Sequence, residues 1–182
     1  MRPDDDIICG YIESRIQLQE ELQKQNPLAA DALNYGNDLQ KILIISIASR
    51  YEAVIIQDIL GYFKSHIDHE PGLEFIEKKA LSRSYYQLFD WTKGEKGVKQ
   101  FFKLYGEQCL SFYEEQCRLH DWLSSGARDF IYIGAERNKI VHNDFITCSL
   151  PDITTLEIIE KHHRAMQFVN AILGLINQEP LM

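Results

Sequence analysis

Arg137-Asn138-Lys139-Ile140-Val141-His142 closes a stretch in which apolar residues return at intervals of three and four. That is the period of an α-helix, on which successive side chains are ~100° apart. With Phe130 at 0°, the ~100° step puts Val141 near ~20°, Gly134 near ~40°, Ile140 near ~280° and Ile133 near ~300°. Arg137 falls near ~340°, inside this apolar stripe. A charge there is unusual, because an unpaired buried charge costs several kcal/mol. Asn138 near ~80°, His142 near ~120° and Ala135 near ~140° form a second face, together with Ile131. A face of that composition suits a second helix, from this chain or another copy. Arg137 and His142 diverge by ~140°, so they converge on one ligand only if the helix ends there or a second copy contributes.

Outward from this run, helical spacing covers most of the chain. A long helix is expected from about Asp38 to about Phe63, opened by a capping box with Asn37 as N-cap and Gln40 three positions into the helix. With Ile44 at 0°, Ile55, Ala48, Ile59 and Ile56 lie between ~20° and ~120°, and Glu52 sits among them near ~80°. One Arg and one Glu in facing apolar stripes suggest a pair, direct or through one water. On pattern alone a structural ion pair or two snorkelling side chains explains them equally well. Ile8, Tyr11, Ile12, Ile16 and Leu22 mark an earlier helix that stops before Asn26-Pro27. After the break at Pro71-Gly72 a helix is expected over Leu73–Leu88, then an exposed loop over Trp91–Val98. Phe101-Phe102-Lys103-Leu104-Tyr105-Gly106 leads into a further helix, to about Leu123, with Gly126 near a helix junction. Asn143 to Ile153 reads as irregular, and Thr154-Thr155-Leu156-Glu157 as a second capping box, opening a last helix to about Ile176. No strand pattern, repeat or βαβ alternation appears. The fold class is therefore all-α, a bundle of long antiparallel and short accessory helices. Residues 1–36 read as an N-terminal helical extension packed on a core of residues 37–182, the whole forming one structural domain.

The 182 residues are 45% hydrophobic and 25% charged, which fits a soluble globular domain with its own core. Cys9, Cys109, Cys117 and Cys148 form no CxxC pair and read as reduced core thiols. The acidic, polar N-terminus has no signal-peptide core, and the longest apolar run, Ile42 to Ala48, is too short to span a bilayer. A cytoplasmic protein without membrane association is expected. The net charge of −8 disfavours indiscriminate nucleic-acid or anionic-membrane binding. Any nucleic-acid chemistry would need a local basic site.

The motif and its surroundings resemble the HEPN superfamily, whose signature is an Arg, four to six residues and a His, often with Asn directly after the Arg. The likeness to HEPN domains of the RiboL-PSP type runs from about Ile42 onward. It takes in Glu52, Leu88-Phe89-Asp90-Trp91, Phe102-Lys103-Leu104-Tyr105-Gly106, Arg137 to Phe145 and Ala165-Met166-Gln167-Phe168-Val169. The resemblance implies a metal-independent endoribonuclease, active as a homodimer whose motif helices meet, acting as a toxin or as a defence or stress effector. It implies a neutralising or activating protein partner and no cofactor. His142 would act on the RNA 2′-hydroxyl or the leaving oxygen, and Arg137 would bind the scissile phosphate. Asn138 would orient one of them, Glu52 would hold Arg137, and Asn143 would support the site.

The residue types suit that reaction. RNA carries its own nucleophile, so cleavage needs proton transfer and charge stabilisation. Histidine titrates near neutrality, and arginine presents a permanent planar fork to phosphate. Lys139 and the loop lysines Lys93, Lys96 and Lys99, with Lys103, are the candidate RNA-binding cations, although such lysines are ordinarily a solvated surface. His66-Ile67-Asp68-His69-Glu70 is a weak metal candidate without a distant third ligand. His162-His163 read as surface residues, Ser111, Ser124 and Ser125 lack a nucleophile elbow, and no phosphate-binding glycine loop occurs. Two rivals remain. One is a non-catalytic HEPN module binding a nucleotide, nucleic acid or partner protein, and the other is a purely structural helical dimer.

Overall fold

The computed structural model describes residues 5–25, 30–81 and 84–181, and among them it contains helices and turns but no strand. Helix α1 (Asp5–Gln25) packs against the long helix α2 (Ala30–His66). The capping box expected at Asn37 and Gln40 does not form, because α2 passes straight through it. Its Gly36 is buried beneath Gln19 of α1, and that packing carries the helix past the position where the sequence pattern stops it. Gln40 instead donates its amide N–H to the Ile153 carbonyl at 2.7 Å. The boundary drawn between residues 36 and 37 lies inside this continuous helix.

The stretch expected as one helix over Leu73–Leu88 is divided. Short α3 (Glu70–Phe75), N-capped by His69 with Pro71 in its first turn, runs into a wider turn over Ile76–Leu81 and then a tight one over Tyr85–Gln87. The break lets Phe89 and Trp91 turn inward onto Phe130, with Tyr85 packed against both. The Trp91–Val98 segment is exposed only at its tip. Gly97 and Val98 are buried, and a Cβ on Gly97 would stand 2.1 Å from the Asp90 carbonyl oxygen. No other residue lets the two backbones approach so closely. The Phe101–Gly106 segment itself contains a short helix, α4 (Lys99–Lys103), and the helix it leads into is α5 (Glu107–Leu119), which ends four residues short of Leu123; the two are separated at Gly106 with φ +102°, a conformation that favours glycine.

Extended His120 then starts α6 (Asp121–His142), which carries the motif, and α7 (Thr155–Ile176) runs back along it. Gly126 lies within α6, not at a junction. Its missing side chain admits α7, since a Cβ there would meet the Arg164 carbonyl at 2.6 Å and Phe168 Cβ at 2.9 Å. The capping box at Thr154 and Glu157 forms as expected, with both reciprocal hydrogen bonds present.

α2, α6 and α7 enclose the core. Ile44, Ile47, Ile55, Phe101, Phe102, Phe130, Phe168 and Ile172 are fully buried, and each such side chain contributes ~1.5–3 kcal/mol of transfer free energy. Between α6 and α7 the buried Asp129 carboxylate accepts from Lys161 at 3.0 Å and Arg164 at 2.5 Å. His162, expected at the surface, is buried with its ring nitrogen 3.0 Å from the Tyr51 hydroxyl. His163, its neighbour, is exposed, because adjacent helical positions diverge.

Candidate functional site

α6 stops at His142 because the next residue closes it. Asn143 is extended, and both its backbone N–H and its side-chain amide donate to the Lys139 carbonyl, at 3.1 and 2.7 Å. That places Asn143 in the helix cap. His142 is exposed in the last turn. Asp144 then turns the chain by accepting from the Ile146 N–H at 2.9 Å.

Five residues earlier, Arg137 is half-buried rather than buried. Its guanidinium lies 4.0 Å from the centre of the Tyr86 ring, and its Nη1 donates to Asn138 Oδ1 at 3.3 Å. Its Nε is buried without a hydrogen-bond partner. The pairing expected with Glu52 is therefore indirect. The Tyr86 hydroxyl donates to Glu52 Oε2 at 3.4 Å, so the phenol ring intervenes between guanidinium and carboxylate. Burial pushes the Tyr86 hydroxyl up to about 12, with Arg137 acting the other way and Glu52 adding to the rise. It stays protonated near neutrality and donates to the carboxylate. Glu52 and Arg137 are both half-buried, and the Tyr86 ring reaches between them.

The buried charges on α6 are others. Glu136 is 3% exposed, accepts at Oε1 from Lys139 Nζ at 2.5 Å and leaves Oε2 without a partner. Lys139 is thus committed in part to Glu136. The loop lysines are similarly engaged, Lys93 with Asp90 at 2.6 Å, Lys99 with Glu114 of α5 at 2.5 Å and Lys103 with Glu107 at 3.1 Å, while Lys96 is exposed at the tip. The Lys93 ammonium, then the Thr92 hydroxyl and N–H, hold the Asp90 carboxyl down at about 2. Ile131, placed by periodicity on an outward face with Ala135 and Asn138, is already buried within the chain against the Gly97 turn.

Ala135, Asn138 and Lys139 of α6 line a groove of about 680 Å³ whose other walls are Phe89, Asp90, Trp91, Thr92 and Gln100. Trp91 and Tyr86 are the residues that periodicity missed. Their signal is the density of aromatic residues in Tyr85-Tyr86 and Phe89 to Trp91, opposite Gly134 on α6. A Cβ on Gly134 would stand 2.0 Å from the Trp91 ring.

The histidines of the 66–70 segment have local duties. His66 Nδ1 lies 2.7 Å from the Tyr62 carbonyl, and His69 Nδ1 accepts from the Gly72 N–H. Among the described residues no group of three His, Cys, Asp or Glu side chains is placed to hold a metal ion, and no helix is long and apolar enough to cross a membrane. No family model, curated protein or solved structure matches the chain.

Proposed function

We propose that the chain is a metal-independent endoribonuclease of the HEPN type, acting as a homodimer in which two copies of the α6 C-terminus meet. The observation that carries this reading is the state of Arg137. Its cation rests on an aromatic ring and an amide, and among the described residues no carboxylate neutralises it. A buried structural ion pair would hold the carboxylate against the guanidinium. A guanidinium oriented by a ring keeps its charge and its remaining N–H groups for an anion such as phosphate. His142, at the open end of the same helix, is the general acid or base. Exposed Val141 and Ile146 beside it supply apolar surface for the second copy. In the reaction the 2′-oxygen attacks phosphorus and its proton passes to a histidine. The 5′-oxygen leaves and takes a proton, giving a 2′,3′-cyclic phosphate and a 5′-hydroxyl. RNA, a second copy and a neutralising or activating protein are the proposed partners, and the cytoplasm is the proposed setting.

The test is incubation with structured and unstructured RNA in EDTA, followed by end-group analysis. Cyclic phosphate ends that disappear with His142→Ala support the reading. Cutting that survives this substitution, or that needs a divalent metal, overturns it.

The second reading is a non-catalytic HEPN module. It is favoured by the acid pairing of Lys93, Lys99 and Lys103, which leaves little free positive charge for capturing RNA on a chain of net charge −8. Oligonucleotide binding without strand scission, equal in the protein and in His142→Ala, would distinguish it.

A further inference from the structure

The groove beside the motif has a wall held by packing and a hydrogen bond, and a rim of mixed hydrogen-bonding character. The Trp91 indole N–H donates to the Tyr86 carbonyl at 2.8 Å, and its ring edge fills the space left by Gly134. The aromatic wall is therefore formed before anything binds. Around it, Asn138 turns its Oδ1 to Arg137, which leaves its NH2 as a donor. Gln100 gives its NH2 to the Gln87 carbonyl at 3.0 Å, which leaves its Oε1 as an acceptor.

Asp90 adds a carboxylate already paired with Lys93, and Lys139, itself paired with Glu136, lies at the same rim, so the charges there are offset within the chain. A flat, neutral group with both donors and acceptors on its edge fits these walls. Asn138 and His142 are four residues apart on one helix, so an occupant held at Asn138 lies about one turn, ~5.4 Å along the axis, from His142. The exposed apolar side chains Val141, Ile146 and Leu156 lie outside the groove. The surface best suited to a second copy is therefore elsewhere.

We propose that this groove is a nucleobase subsite, receiving one unstacked base of single-stranded RNA next to the bond on which His142 acts. It rests on the ribonuclease reading for its place in the reaction, though not for its ability to bind a base. Aromatic walls with a few edge-directed polar groups are how single-stranded bases are commonly held. Asn138 thereby contacts both the base and Arg137, which links occupancy of the groove to the orientation of the guanidinium.

The chain has two tryptophans, so Trp122→Phe protein labelled with 5-fluorotryptophan reports on Trp91 by a single 19F resonance. The probes are the four free nucleosides and a 2′-O-methyl oligoribonucleotide, which offers no 2′-hydroxyl for attack. The resonance is expected to shift saturably with both. Replacing nucleotides one at a time by abasic residues should weaken binding about 5- to 150-fold at one position and little elsewhere. Ala135→Leu, which fills the groove from a helix position that tolerates leucine, should weaken the intact oligonucleotide by the same factor and leave the singly abasic one unchanged. A resonance unmoved by every probe overturns the subsite, and RNA cutting that continues regardless leaves the ribonuclease reading standing. A saturable shift without any cutting does the reverse. If Ala135→Leu changes the mass measured by light scattering and leaves RNA binding unaltered, the groove belongs to a second copy and the proposal fails.

Discussion

The Arg137 guanidinium stacks 4.0 Å from the centre of the Tyr86 ring, and the ring's hydroxyl reaches on to Glu52. Removing the hydroxyl and removing the ring are therefore separable. Tyr86→Phe keeps the surface under the cation, and stability should change by less than about 1 kcal/mol, the scale of one partly exposed hydrogen bond. Tyr86→Leu removes the cation–π contact as well and should cost a further ~0.5–2 kcal/mol. RNA cleavage should follow the same order, near wild type in the first and clearly reduced in the second. Urea denaturation and initial cleavage rates check both. Equal loss in the two variants would mean that the hydroxyl, not the ring, positions Arg137.

His142 is exposed and follows the last buried turn of α6, so His142→Ala should change stability by no more than ~0.5 kcal/mol. Cleavage should nevertheless fall ~10²–10⁴-fold. Asn143→Ala should behave differently. It removes a side-chain bond to the Lys139 carbonyl and should lower stability by ~0.5–1.5 kcal/mol. Thermal melts beside single-turnover kinetics separate the two positions.

Two glycines should respond with opposite signs. Gly134→Ala drives a methyl into the Trp91 ring and should destabilise by ~1–3 kcal/mol through overpacking, lowering Tm and reddening the tryptophan emission. Gly61, on the exposed side of α2, has nothing within 4 Å of a built Cβ. Gly61→Ala should stabilise by ~0.4–1 kcal/mol, because alanine has fewer unfolded conformations to lose. A Tm that rises in both would contradict the close approach of Trp91 to α6.

Asp90 supplies a pH signature. Its folded pKa, about 2, is depressed below the ordinary 3.8 by Lys93 and Thr92. A depressed carboxyl contributes stability that is present above the unfolded value and is lost as pH falls through the folded one. The Tm gap between the protein and Asp90→Asn should be widest above about pH 4 and close progressively toward pH 2. A gap independent of pH across that window would show that the carboxylate charge is not what the Lys93 turn depends on.

Much of the architecture could be read from residue spacing, and the exceptions have physical causes. The C-terminal capping box and the end of α6 were legible because the signals are local, a Thr with Glu three residues on and an Asn-Asp pair. The box at Asn37 misled because Gly36 packs under α1, a tertiary contact that overrides local preference. The site was legible in its polar residues and misread in its connections. Arg137 and Glu52 stood out as charges inside apolar stripes and were expected to pair, but the ring between them belongs to a turn that periodicity cannot position. The fully buried carboxylates, Asp129 and Glu136, escaped notice because one needs Lys161 and Arg164 on another helix to make sense, and the other lies beyond the edge of the stripe drawn from Phe130.

The segment between α6 and α7 is tied to α2 at both ends. Gln40 donates to the Ile153 carbonyl, and buried Lys41 donates to the Phe145 carbonyl at 2.7 Å while its ammonium lies 4.9 Å from the Phe145 ring centre. Both knots grip peptide oxygens, which every amino acid provides. With Cys148 and Leu150 kept for their packing on the core, the exposed positions 146, 147, 149, 151 and 152 can therefore be rewritten, or the segment lengthened by a few residues at a cost of well under ~1 kcal/mol in loop closure, without untying either end. The stretch next to the motif is built like a cassette, with frame and contents independent, so new surface chemistry can be tried beside His142 while the helix that presents it stays in place.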